Sequence, residues 1–197
     1  MIDLPYNAEI RPDTGVTSQK LGMWLFLASE VMLFGSLFSS YALLRSGAMS
    51  WPDQSAIVNV RLAAVNTLVL VASSVTILRG MHSLRAGRVA ACRRFMAITV
   101  ALGILFLAIK SLEYRAELLD GLRPSTNNFL GLYFVMTSLH ALHVACGVLV
   151  NAFLCGPGAG MWRRDPARFV GRVECASLYW NFIDVIWILM FGVLYLI

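Results

Sequence analysis

Apolar residues in this chain do not alternate with polar ones. They run on, and the charged residues stand between the runs. Five runs read as membrane-crossing α-helices, because ~20 apolar residues at ~1.5 Å rise each cover the hydrocarbon core. The first extends from about Leu21 to Leu44, between Lys20 and Arg45, with Glu30 as its only charge. The second covers about 60–79, and its uncharged core from Leu62 to Leu78 is near the lower limit for crossing. Arg61 is therefore expected to snorkel outward. The third runs from about Phe95 to Leu118, although its uncharged stretch stops at Ile109, so Lys110 and Glu113 are expected at an interfacial end. The fourth covers Phe129 to Cys155, closed by Gly156-Pro157-Gly158, and the fifth covers Glu174 to Ile197. All six prolines fall outside these spans, as satisfied helix hydrogen bonds within lipid require.

The expected architecture is all-α: a polytopic membrane protein with one transmembrane domain over 1–197, a bundle of five helices. Composition agrees, with 58% hydrophobic and 14% charged residues, where a soluble domain carries about 25% charged. The net charge of +5 does not point to nucleic acid, since no basic patch is interleaved with aromatics. It reflects the loops. Arg79, Arg85, Arg88, Arg93 and Arg94 lie between the second and third spans, and Arg163, Arg164, Arg168 and Arg172 between the fourth and fifth. With Arg11 and Lys20, that side collects 11 of the 16 basic residues, so the positive-inside rule predicts N-in, C-out. The first twenty residues are polar and contain Asp3, Pro5, Pro12 and Asp13, so no cleavable leader is expected. Cys92, Cys146, Cys155 and Cys175 form no C-x-x-C pair and read as packing residues.

An ionisable group at the bilayer centre costs roughly 2.5–3.5 kcal/mol, so each such group needs a partner or a purpose. At ~1.5 Å per residue, Glu30 lies roughly 14 Å into the first span, His140 about 17 Å into the fourth and Asp184 about 15 Å into the fifth. His143 follows His140 by three positions, which puts both rings on one helix face. Two readings stand: a polar cluster that relays protons or holds a cofactor, or hydrogen bonds that lock the bundle. A metal or haem site is not expected, because the third histidine, His82, lies in a basic loop and no Glu-x-x-His occurs. Glu113-Tyr114 and Glu174 read as solvated helix ends. Trp24, Trp51, Trp162 and Tyr195 read as an interfacial belt. Small residues, among them Gly35, Ser36, Ala141 and Gly147, suit close helix packing.

Four blocks then carry a resemblance: GMWLFLASEVMLFGSLFSSYALLR (Gly22 to Arg45), KSLEY (Lys110 to Tyr114), GLYFVMTSLHALHVACG (Gly131 to Gly147) and ECASLYWNFIDVIWILMFGVLYL (Glu174 to Leu196). In this order they resemble subunit III of the haem–copper oxidases, most closely cytochrome c oxidase. The resemblance implies a non-redox subunit of a bacterial cytoplasmic-membrane complex. Such a subunit binds no haem or copper of its own, packs against subunit I in an assembly that includes subunit II, holds phospholipid and supports proton uptake. The complex would take electrons from cytochrome c, reduce O2 to water and translocate protons. Glu30 matches the family's buried, carbodiimide-reactive carboxylate beside lipid, with Trp24 and Arg45 expected near lipid too. His140 and His143 match its paired histidines, Glu174 its pre-helix carboxylate and Asp184 its last-helix aspartate. Where many members carry histidine this chain has Asn181, which hydrogen-bonds but does not titrate near neutral pH. Many members have seven helices; this chain starts at the third, like the short bacterial forms. Quinol oxidase members tend to have aspartate at the position of Glu30, which favours cytochrome c as donor. The alternatives are a quinol oxidase subunit III, a nitric-oxide-reductase accessory protein, and an independent proton or ion transporter. The last lacks the Gly/Pro-interrupted helix pairs typical of transporters.

Overall fold

The computed structural model describes residues 15–197 apart from Asp53. Asp3, Pro5, Arg11, Pro12 and Asp13, which the leader and loop-charge readings used, lie outside the described residues. Among the described residues, five helices are long and apolar enough to cross a membrane. They are α1 (Ser18–Gly47), α2 (Val60–Arg85), α3 (Val89–Leu119), α4 (Asn128–Cys155) and α5 (Pro166–Phe191). Short turns at Gln54–Ile57, Pro157–Gly160 and Met161–Arg164 fill the loops, and a wide π-type turn at Gly192–Leu196 ends the chain.

The helix limits follow caps and left-handed glycines rather than the apolar runs. Side chains of Thr17, Asn59, Asn127 and Asp165 accept from the backbone N–H three residues on, which fixes four helix starts. The expected loop between the second and third spans is almost entirely helix. A single turn at Gly87 (φ 72) separates α2 from α3, with Arg88 N–H donating to Ser83 O and Gly87 N–H to Leu84 O. The arginines of this segment therefore project from helix ends. The fifth helix likewise starts at Pro166 and not at Glu174. Proline is tolerated at the first helical position because that N–H has no intrahelical partner anyway.

Packing is uneven. α2, α3, α4 and α5 enclose the main core, in which Phe106, Tyr133, Trp180 and Trp187 are fully buried. A smaller core of Met81, Leu84, Cys92, Met96, Leu154 and Phe169 sits at the basic end. α1 packs mainly on the α4–α5 side of this bundle, and leaves an apolar face with Trp24, Leu25 and Met32 exposed. The centre of the bundle is the Trp180 indole. A methyl group on Gly103 of α3 or Gly147 of α4 would come within 2.7 Å and 2.8 Å of its ring. Its Nε1–H donates to Ser73 Oγ of α2 at 2.9 Å.

Candidate functional site

The ionisable residues picked out inside the spans do not form one cluster. Glu30 and His143 do meet: Nε2 of His143 lies 3.0 Å from Oε2 of Glu30, joining α4 to α1. The other ring nitrogen, Nδ1, is 2.7 Å from the Leu139 carbonyl, which can only accept. Nδ1 therefore carries a hydrogen, and the contact at Nε2 requires one more proton between imidazole and carboxyl. The pair is either imidazolium with carboxylate or neutral imidazole with carboxylic acid. In both forms it holds one proton. Phe34 packs edge-on to the His143 ring, and the Tyr179 hydroxyl donates to the His143 carbonyl at 3.0 Å.

This pair forms one wall of a cleft of about 870 Å³ between α1, α4 and α5. Leu142, Leu149, Phe153 and Phe26 make its surface apolar, and Gln19 and Arg172 lie at the basic end. Trp24 and Arg45 do not line it. Trp24 points away on the outer face of α1, and Arg45 lies at the opposite end, donating to the Ile197 carbonyl at 3.0 Å.

His140 takes a separate direction although it is three residues from His143. Its ring is fully buried beside Trp187 (5.1 Å) and Phe106 (5.7 Å), and neither nitrogen has a hydrogen-bond partner among the described residues. Asp184 is buried too. Its Oδ2 accepts from the Ser74 hydroxyl of α2, while Oδ1 has no partner among the described residues. Asn181 bonds back to the Ser177 carbonyl at 2.7 Å. Glu174 ties the basic end together, 2.9 Å from Lys20 and 3.0 Å from Arg85, so it is paired and not merely solvated. α2 supplies Ser74, Ser73 and Thr67 to buried side chains of α5.

A second polar centre lies at the other end of the bundle, where an interfacial helix end was expected. Lys110 and Glu113 are 2% and 3% exposed and form an ion pair at 3.0 Å. The ammonium also donates to the hydroxyls of Tyr133 (2.9 Å) and Tyr195 (2.7 Å), and its charge faces the rings of Tyr114, Tyr133, Trp187 and Tyr195. Tyr195 is thus a buried anchor and not part of an interfacial belt. The signal available in the sequence was the spacing of Lys110, Glu113 and Glu117, which puts all three on one helix face.

Among the described residues no group of three or more His, Cys, Asp or Glu side chains is placed to hold a metal ion. The cleft can seat an apolar chain, with the Glu30–His143 pair on its wall.

Residues 12–197 match the family described as cytochrome c oxidase subunit III. The chain belongs to that family. Its members are third subunits of haem–copper oxidases of respiratory chains, and the family carries no metal sites of its own. This member is 38% identical to a cytochrome c oxidase subunit 3 of Thermostichus vulcanus over 97% of its own length and 91% of that protein's. It is 33% identical to a cytochrome bo(3) ubiquinol oxidase subunit 3 of Pseudomonas putida, covering 90% and 84% of the two chains. A probable cytochrome c oxidase subunit 3 of Mycobacterium bovis is also 33% identical, over 90% and 87%. Relatives of both donor classes therefore stand at similar distances.

Proposed function

We propose that this chain is the non-redox third subunit of a proton-translocating cytochrome c oxidase in a bacterial cytoplasmic membrane. In this reading it packs against subunit I, in a complex with subunit II, holds phospholipid in the α1–α4–α5 cleft and supports proton uptake by subunit I. The observation that carries it is the Glu30–His143 pair: a proton-holding group, within the membrane, on the wall of an apolar cleft. Lipid acyl chains suit the Leu142–Leu149–Phe153 wall, and Arg172 at the basic end suits a phosphate. The basic loop bias supports N-in, C-out. A glutamate at position 30, where quinol oxidase subunits tend to carry aspartate, supports cytochrome c as the donor.

Purification from the native membrane tests the assignment: the chain is expected to co-purify with haem- and copper-bearing subunits that oxidise reduced cytochrome c. A purified complex that oxidises quinol and not cytochrome c would move it to the quinol class. Isolation as a separate homo-oligomer with ion flux in liposomes would overturn the subunit reading altogether. Within the complex, Glu30→Ala is expected to leave initial electron transfer near the wild-type rate and to shorten the time over which turnover is sustained. Complete loss of activity from the first turnover would contradict a supporting role.

A further inference from the structure

We propose that Glu117 holds a single exchangeable proton, as the open end of the buried network around Lys110. All three N–H groups of Lys110 are used, on Glu113 Oε2, Tyr133 Oη and Tyr195 Oη. The Tyr195 hydroxyl donates to Glu113 Oε1 at 3.0 Å. Tyr133 has one hydroxyl hydrogen and three acceptors in reach, Glu117 Oε1 at 2.6 Å, Glu113 Oε1 at 3.1 Å and Tyr195 Oη at 3.2 Å, and the shortest contact goes to Glu117. Glu113 therefore receives hydrogen bonds at both oxygens, including one from a cation, and is the carboxylate that balances Lys110. Glu117 receives one neutral hydrogen bond at Oε1, and its Oε2 is buried with no partner among the described residues.

One ammonium is matched by Glu113, so an ionised Glu117, 6% exposed, would be a second and uncompensated negative charge within the bundle. A neutral carboxylic acid is far less costly to bury than an unpaired carboxylate. The groups that face Glu117 are Lys110, Glu113 and Tyr114 of α3, Tyr133 of α4 and Tyr195 of the final turn. A route exists on the remaining side. A cavity of about 300 Å³ between α2 and α3 is lined by Asn59, Leu62, Glu113, Glu117 and Asp120. Ile57 and the α2 residues there, Leu62 among them, contribute no titratable side chain. Asp120 is exposed where α3 ends. A proton from water at this end adds to Glu117 and leaves by the same way, with no other bond changed. The site lies at the end of the bundle opposite the basic loops and shares no residue with the Glu30–His143 pair. It rests on this chain's own geometry and not on the oxidase assignment.

Infrared difference spectroscopy tests it on the protein in whatever assembly it purifies from its membrane. Glu117→Gln is expected to remove one C=O band from the carboxylic-acid region, and in the unsubstituted protein that band is expected to shift on transfer to deuterated water. Tyr133→Phe, which keeps Glu117 but deletes its donor, is expected to retain the band and move it to higher wavenumber. An unchanged carboxylic-acid region in either variant would overturn the proposal, because Glu117 would then be ionised. A band that ignores deuterated water would overturn its exchangeability. A band that disappears with added sodium or potassium ions at constant pH would assign the site to a metal cation instead.

Discussion

Replacement of Lys110 by methionine is expected to cost the fold about 3–5 kcal/mol, the usual result of removing one partner of a buried ion pair. The side chain is 2% exposed, and its ammonium serves Glu113, Tyr133 and Tyr195 at once, at 3.0, 2.9 and 2.7 Å. Methionine fills much the same volume, so the loss is electrostatic and not a cavity. Glu113 would keep only hydroxyl donors, and its buried charge would have no cation to offset it. Since membrane and soluble domains alike are stable by only about 5–15 kcal/mol, the variant should accumulate poorly and unfold at lower denaturant in detergent. The double variant Lys110→Met with Glu113→Gln removes both charges together. It is expected to recover most of the loss, because replacing a whole buried pair is often close to neutral. Wild-type unfolding of Lys110→Met alone would mean that the pair contributes nothing, and equal damage in single and double variants would mean that shape and not charge is at issue.

The network was the least legible part of the chain for a physical reason. Uninterrupted apolar stretches reveal where helices cross, so the five spans and the isolated charges Glu30 and Asp184 stand out from composition alone. Lys110 interrupts such a stretch and reads as a boundary, because hydropathy cannot see that tyrosines from α4 and the final turn surround it. Helix rotation is equally invisible. His140 and His143 differ by about 60° around α4 at ~100° per residue, which is enough to send one ring toward Trp187 and the other toward Glu30. Equal depth therefore did not mean contact. Helix ends were misplaced where the signal was conformational: Gly87 and the Asp165-Pro166 start carry no hydropathy contrast. The α2 contribution of Ser73, Ser74 and Thr67 was equally hidden, because hydroxyls are too weakly polar to stand out in an apolar run.

Trp180→Ala is expected to destabilise the bundle by about 3–5 kcal/mol, at the upper end of core truncations. The indole is fully buried and occupies a slot that neither neighbour can refill, since the walls facing it are Gly103 and Gly147, which have no side chains to move inward. A cavity here would separate α3, α4 and α5 at their common centre and would also remove the donor to Ser73 Oγ. Ser73 still donates to the Leu70 carbonyl at 2.7 Å, so the hydroxyl itself is not orphaned and the loss is mainly one of packing. The converse substitution tests the same slot. A methyl group at Gly147 would come within 2.8 Å of the indole, so Gly147→Ala should cost about 1–3 kcal/mol by overpacking. Because the two sites touch, their effects should not add: Trp180→Phe combined with Gly147→Ala should unfold later in detergent than the sum of the single losses requires. Strict additivity, or a Trp180→Ala variant with an unchanged midpoint, would show that the helices are held by their remaining contacts and not by this ring.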